Sequence, residues 1–292
     1  MSTENRYYRV GDHLFALQAE SASFEYLPNL EPFRVKETSV PIFTLFVKDS
    51  PLPATHGWAA VYTDRSDADM PRIEMYRQAD RWLLCLSQTR ESEIVCAVLC
   101  NADFSEAEVF LVPGNTRFAV DNASMLIYAF RTATLHTLLF HASVIVRGGR
   151  AFLFLGHSGT GKSTHAQLWL DTFSDADRLN DDNPVVRLMD DGSARVYGSP
   201  WSGKTACYKA SSAPIQSLVQ LVQAPYNAIR SLRMTQAYPF VLASISGLKM
   251  EPSMMDSLYE SIARLLELCP VYELECLPNK EAAQLCAQTC SP

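Results

Sequence analysis

The chain has 292 residues, 48% of them hydrophobic and 20% charged, with a net charge of −7. That balance suits one or two globular domains and excludes a broad basic surface for nonspecific nucleic-acid binding. No apolar run approaches the ~20 residues that span a bilayer, and the opening MSTENRYYRV lacks the apolar middle of a secretion signal. Eight cysteines, at 85, 96, 100, 207, 269, 276, 286 and 290, form no C-x-x-C pair and have few histidines nearby, which argues against zinc. Reduced thiols in a cytoplasmic protein are the expectation.

Residues 1–118 read as a β-rich region. Short apolar stretches such as Leu14–Leu17, Pro41–Val47 and Trp82–Leu86 are separated by charged residues or Gly, Pro and Asp. Arg90 to Val112 predicts two strands around Asn101-Ala102-Asp103. Tyr7, Tyr8, Trp58, Tyr62 and Trp82 read as core aromatics, and no catalytic constellation stands out. Pro113-Gly114-Asn115 marks the expected boundary to a second region, residues 119–292.

Asn122 to Leu139 predicts a helix with Met125, Leu126, Ala129, Leu135, Leu138 and Leu139 as its apolar positions. His141–Val146 then predicts a strand, Arg147–Arg150 a tight turn, and Ala151–Leu155 the hairpin partner. Directly after it stands Gly156-His157-Ser158-Gly159-Thr160-Gly161-Lys162-Ser163, a complete match to G-x-x-x-x-G-K-[ST]. Glycines let the backbone turn so that successive N–H groups can point at phosphate oxygens. Lys162 supplies a mobile cation for the β- and γ-phosphates, and Ser163 a hydroxyl for Mg²⁺. The helix predicted from Ser163 onward places the loop at a helix N-terminus, where free N–H groups and the dipole favour an anion. Such loops are usually fed by a strand of a parallel array; here the approach is antiparallel.

Asn183–Leu188, Ala194–Tyr197 and Ile215–Val222 are strand candidates, and residues 226–245 predict a helix. Ser253 to Leu268 predicts an amphipathic helix, followed by a strand at Val271–Cys276 and a short helix opened by Pro278-Asn279.

A nucleotide site also needs carboxylates, one for Mg²⁺ and often one to take the proton of the attacking hydroxyl. The usual apolar run ending in aspartate is absent. Instead Arg178-Leu179-Asn180-Asp181-Asp182-Asn183 follows the loop helix closely. Adjacent aspartates at a strand edge face different ways, so one can meet the metal and the other the acceptor.

A hairpin beginning with histidine, then GHSGTGKST, then LNDD resembles the catalytic domain of HPr kinase/phosphorylase. It is also similar to the nucleotide core of ATP-dependent phosphoenolpyruvate carboxykinase. The likeness covers residues 136–190 well and the rest of the C-terminal half loosely. It implies an α/β fold: a mixed-sheet P-loop core preceded by a smaller β-rich region, using ATP and Mg²⁺. By that resemblance Gly156, His157, Ser158, Gly159, Thr160, Gly161, Lys162, Ser163 and Thr164 bind nucleotide. Ser163 and Asp181 hold the metal, and Asp181, Asp182, Lys162 and His141 serve catalysis, His141 beside the transferred phosphoryl group.

The glutamate-arginine signature that follows the acidic pair in HPr kinases has no counterpart. In its place stands Gly198-Ser199-Pro200-Trp201-Ser202-Gly203-Lys204. That turn resembles a segment of HPr-kinase-like proteins outside sugar transport, and it makes Lys204 a candidate contact to a phosphate or an acidic acceptor. His157 reads as a tolerated loop side chain and His165 as structural. The expected function is transfer of the γ-phosphoryl group of ATP to a serine-type hydroxyl in a protein, peptide or small molecule. Carboxykinase-type lyase chemistry and a non-catalytic nucleotide sensor are the alternatives. Neither nucleic acid nor membrane is an expected partner; a homo-oligomer is what the resembling family suggests.

Overall fold

The computed structural model describes residues 2–37, 39–63, 71–203, 205–249 and 251–290. The chain is mixed α/β and forms two compact units, Met1–Arg131 and Thr132–Pro292. The division falls later than Pro113–Asn115, because the helix that follows those residues, α1 (Thr116–Ala133), carries most of its length in the first unit.

In the first unit the strands are β1 (Thr3–Val10), β2 (His13–Glu20), β3 (Arg34–Val35), β4 (Thr44–Lys48), β5 (Ala59–Thr63), β6 (Arg72–Gln78), β7 (Arg81–Ser87), β8 (Ile94–Cys100) and β9 (Glu106–Leu111). Among the described residues they form one sheet in the order β3-β1-β2-β4-β9-β8-β7-β6-β5. The β2–β4 and β4–β9 pairs are parallel and the rest antiparallel. Tyr8 and Trp82 are buried as expected, whereas Tyr7 and Trp58 are only half-buried and Tyr62 is 40% exposed. Tyr62 lies on β5, the sheet's last strand, which explains its exposure.

Helix α1 begins and ends earlier than the predicted 122–139. Asn115 starts it, its carbonyl accepting the Ala119 N–H at 2.9 Å. His136, in the left-handed region at φ 49°, closes the connection to β10 (Thr137–Phe140), whose four residues are all buried. Leu138 and Leu139 therefore belong to a strand; a short apolar run serves either element equally well.

The second unit continues with β11 (Ala142–Arg147), β12 (Arg150–Leu155), α2 (Lys162–Thr172), β13 (Ala176–Asp182), β14 (Val185–Leu188), β15 (Ala194–Tyr197), β16 (Ser212–Gln223), β17 (Ala228–Ser231), α3 (Met234–Ala243), β18 (Ile245–Ser246), α4 (Pro252–Leu268), β19 (Val271–Cys276) and α5 (Lys280–Cys290). Its sheet runs β13-β11-β12-β16-β15-β14-β10-β18, with β19 also on β16 and β17 on β19. The predicted helix over 226–245 is only α3, preceded by a strand that pairs antiparallel with β19. The β11–β12 hairpin is as expected, and β12 has an antiparallel neighbour before it and a parallel one, β16, after it.

Both faces of this sheet are covered, so β12 is apolar without a break from Ala151 to Leu155. Phe152 and Phe154 pack with Ala166 and Trp169 of α2 and Ala283 and Cys286 of α5. Leu153 and Leu155 pack in the other cluster with Val241 of α3 and Ile262 and Leu265 of α4. All eight cysteines are free thiols and seven are buried. Burial pushes Cys96 and Cys269 up to about 12, so these behave as small hydrophobes. Among the described residues no helix is long and apolar enough to cross a membrane.

His165, on α2, is buried and accepts the Trp169 indole N–H at Nε2, 3.1 Å away, with its ring edge-on to Phe154. Burial pushes its imidazole down to about 4. Since the unfolded chain titrates near 6.5, it binds the extra proton between those values, and stability falls as pH drops through that window. The loss should reach on the order of 3 kcal/mol by pH 4. Denaturant unfolding measured from pH 7 to pH 4.5 should show it, and His165→Gln should flatten the profile; an equal slope in the variant would assign the effect elsewhere.

Candidate active site

The phosphate-loop motif joins β12 to α2. Gly161 is the residue before the helix and sits at φ 104°, a conformation that favours glycine. The first intrahelical bond after it is from the His165 N–H to the Gly161 carbonyl, at 2.8 Å. The N–H groups of Lys162, Ser163 and Thr164 precede that bond and form the open end of the helix. His157, Ser158, Gly159, Ser163 and Thr164 are exposed, so this end faces solvent.

Three side chains hold the loop's shape. Thr160 Oγ1 donates to the His157 carbonyl at 2.7 Å. Gln223, the last residue of β16, donates to the Gly159 carbonyl at 3.2 Å. Lys162 folds back, its Nζ donating to the carbonyls of Gly156 and His157 at 2.9 and 3.3 Å. An ammonium carries three N–H groups, so this arrangement leaves one for a phosphate oxygen. Burial pushes the Lys162 pKa down, while the charges of Asp182 and Asp181 oppose that shift.

The acids come from β13, which pairs antiparallel with β11 and sets Asp181 opposite Ser143 and Asp182 opposite Ala142. Asp181 is buried. Its Oδ1 accepts a hydrogen bond from Ser143 and another from Ser163 Oγ at 2.9 Å; its Oδ2 lies 3.5 Å from Arg178 Nη1. Arg178 also donates to Gln167 Oε1 on α2 at 3.1 Å. A buried carboxylate needs such partners; Ser143 comes from β11, Ser163 from α2, and Arg178 from β13 itself.

Asp182 points elsewhere. Its half-exposed carboxylate lies 3.0 Å from His141 Nε2 and accepts from Asn183 Nδ2 at 3.0 Å. The structure thus brings His141, Asp181, Asp182, Lys162 and Ser163 close to one another. The backbone of Asp182 has φ 126°, a region that costs of order 1–3 kcal/mol unless its surroundings fix it. They do so here. The Asp181 carbonyl accepts the Gly203 N–H at 2.8 Å and Ser202 Oγ at 3.0 Å. A Cβ on Gly203 would lie 3.1 Å from the Asp182 Cβ, so glycine is what lets this turn lie flat against the acid. Buried Asn180 takes the Asn183 N–H on its Oδ1 at 2.9 Å and donates to Ser199 Oγ at 3.2 Å, tying both ends of the segment to the turn at 199–203.

Ser143, Arg178, Asn180, Ser199 and Gln223 had no role in the sequence reading. Ser143 left one signal, as the single hydroxyl in the otherwise apolar run Ala142–Val146. Lys204 lies outside the described residues. Histidine 157 contributes its carbonyl and an exposed ring, and His165 is structural, as expected. Among the described residues no three His, Cys, Asp or Glu side chains group to hold a metal by themselves. Compared with models of known protein families and with curated proteins, the chain matches none.

Proposed function

We propose that the second unit is an ATP- and Mg²⁺-dependent phosphotransferase acting on a serine-type hydroxyl, with a core of the HPr kinase and phosphoenolpyruvate carboxykinase kind. The observation that carries this reading is the 2.9 Å approach of Ser163 Oγ to Asp181 Oδ1 across the mouth of the loop. Ser163 Oγ and Asp181 Oδ1 are thereby the two oxygens that would hold Mg²⁺ at the loop. The antiparallel hairpin that opens near His141 and the mixed sheet also support the superfamily reading.

The residues divide the work. The N–H groups at the start of α2 and the third N–H of Lys162 bind phosphate oxygens and stabilise charge as it moves toward the leaving β-phosphate. Mg²⁺ held by Ser163 and Asp181 would supply further neutralisation of that charge. Ser143 and Arg178 hold Asp181 toward the loop. Asp182 accepts the proton of the acceptor hydroxyl as its oxygen bonds to the γ-phosphorus and the bond to the ADP oxygen breaks. His141, hydrogen-bonded to Asp182, fixes the carboxylate's direction. The sequence at 198–204 stands where HPr kinases carry their glutamate-arginine signature, which favours an acceptor other than the HPr protein.

Labelling tests this. Full-length protein, Mg²⁺ and γ-labelled ATP added to a native extract should transfer label to an acceptor as an alkali-labile hydroxyl phosphate. Tight ATP binding with no labelled acceptor would leave a sensor. Oxaloacetate-dependent formation of phosphoenolpyruvate would instead identify a carboxykinase.

A further inference from the structure

The acids lie on one side of the loop strand: β11 neighbours β12 and β13 follows. On the phosphate-loop reading, a nucleotide whose γ-phosphate meets Asp181 and Asp182 would extend its nucleoside toward the opposite side, where β16 and β19 lie. There β16 ends at Gln223, whose side chain holds the Gly159 carbonyl, so the turn that follows starts at the loop itself.

That turn is firmly built. The Ala224 N–H donates to the Cys276 carbonyl at 3.2 Å, and Asn227 Oδ1 accepts the Leu277 N–H at 2.8 Å. Asn227 Nδ2 donates to Asn279 Oδ1 at 3.0 Å, and the same oxygen accepts the Ala282 N–H in the first turn of α5. On this support Tyr226 is 51% exposed and Leu277 37% exposed. The Tyr226 hydroxyl lies 3.3 Å from Glu275 Oε1, which steadies the ring without covering it.

We propose that Tyr226, supported by the Asn227–Leu277 stitch, is the platform on which the base of the bound nucleoside triphosphate stacks. The proposal rests on the phosphate-loop reading and adds the nucleoside subsite to it. An exposed, tethered ring suits a planar heterocycle, because every base offers a π-face. The amide oxygens of Asn227 and Asn279 are taken by backbone N–H groups, so the platform supplies stacking rather than a hydrogen-bond code. Adenine and guanine nucleotides should therefore bind with similar affinity.

Calorimetric titration of the full chain with Mg²⁺ and either ATP or inorganic tripolyphosphate tests the assignment. Wild type should bind ATP more tightly than tripolyphosphate. Tyr226→Ala should weaken ATP binding by about 10-fold or more and leave tripolyphosphate binding unchanged, while Tyr226→Phe keeps most of the ATP affinity. Because the side chain is exposed, neither substitution should disturb folding. Unchanged ATP affinity in Tyr226→Ala overturns the platform, as does a wild type that binds both ligands equally. A wild type that binds neither ligand overturns the phosphate-loop reading and the platform with it, and the missing tripolyphosphate signal identifies that case.

Discussion

Lys162→Ala should lower ATP turnover by at least ~100-fold while the protein stays folded. A lysine and a phosphate about 4 Å apart interact by on the order of 4 kcal/mol at an effective dielectric near 20, and 100-fold requires about two-thirds of that to be realised in the transition state. The side chain is already buried against the loop, held by the Gly156 and His157 carbonyls, so little reorganisation is needed when phosphate arrives. Lys162→Arg should not restore activity, because a planar guanidinium cannot occupy the position of a compact ammonium between two loop carbonyls. Turnover at saturating ATP is the measurement, with thermal unfolding as the folding control. Wild-type turnover in a folded Lys162→Ala protein would remove the lysine from the mechanism.

The two aspartates should fail differently. Asp182→Asn should reduce transfer to the acceptor about 100-fold or more and leave ATP affinity unchanged, since a general base contributes to the chemical step and not to nucleotide binding. Asp181→Asn should raise the Mg²⁺ concentration needed for ATP binding. It should also cost stability, on the order of 3 kcal/mol, because the Arg178 guanidinium would be left buried without its carboxylate. Magnesium titrations and denaturant unfolding of the two variants, set side by side, separate the roles. Full acceptor phosphorylation by Asp182→Asn would refute its part as base. Identical Mg²⁺ dependence in Asp181→Asn and wild type would refute the metal role.

The elements that sequence alone revealed are those whose signal is local. The phosphate loop is defined by spacing within eight residues, the β11–β12 hairpin by its apolar runs and tight turn, and the acids by their adjacency after the loop helix. What stayed hidden depends on contacts between distant residues. Ser143 reaches Asp181 only because β13 returns beside β11, with a shift in register between Val144 and Ile145 that no periodicity announces. Arg178 and Asn180 are buried polar residues, and a search for apolar alternation passes over them. The end of α1 was misplaced for a related reason: Leu138 and Leu139 fit the helical stripe but are buried in a strand edge-to-edge with β14.

The return of β13 beside β11 has a wider consequence. His141, the loop, Ser163, Arg178, Asp181 and Asp182 all lie in one uninterrupted stretch, residues 141–182, with only short loops to close. A nascent chain therefore holds every group assigned to phosphate, metal and proton before β16 has been synthesised. The later strands and α5 lend that stretch its hydrophobic backing, and the turn at 199–203, which follows it in the chain, fixes the backbone of the two acids.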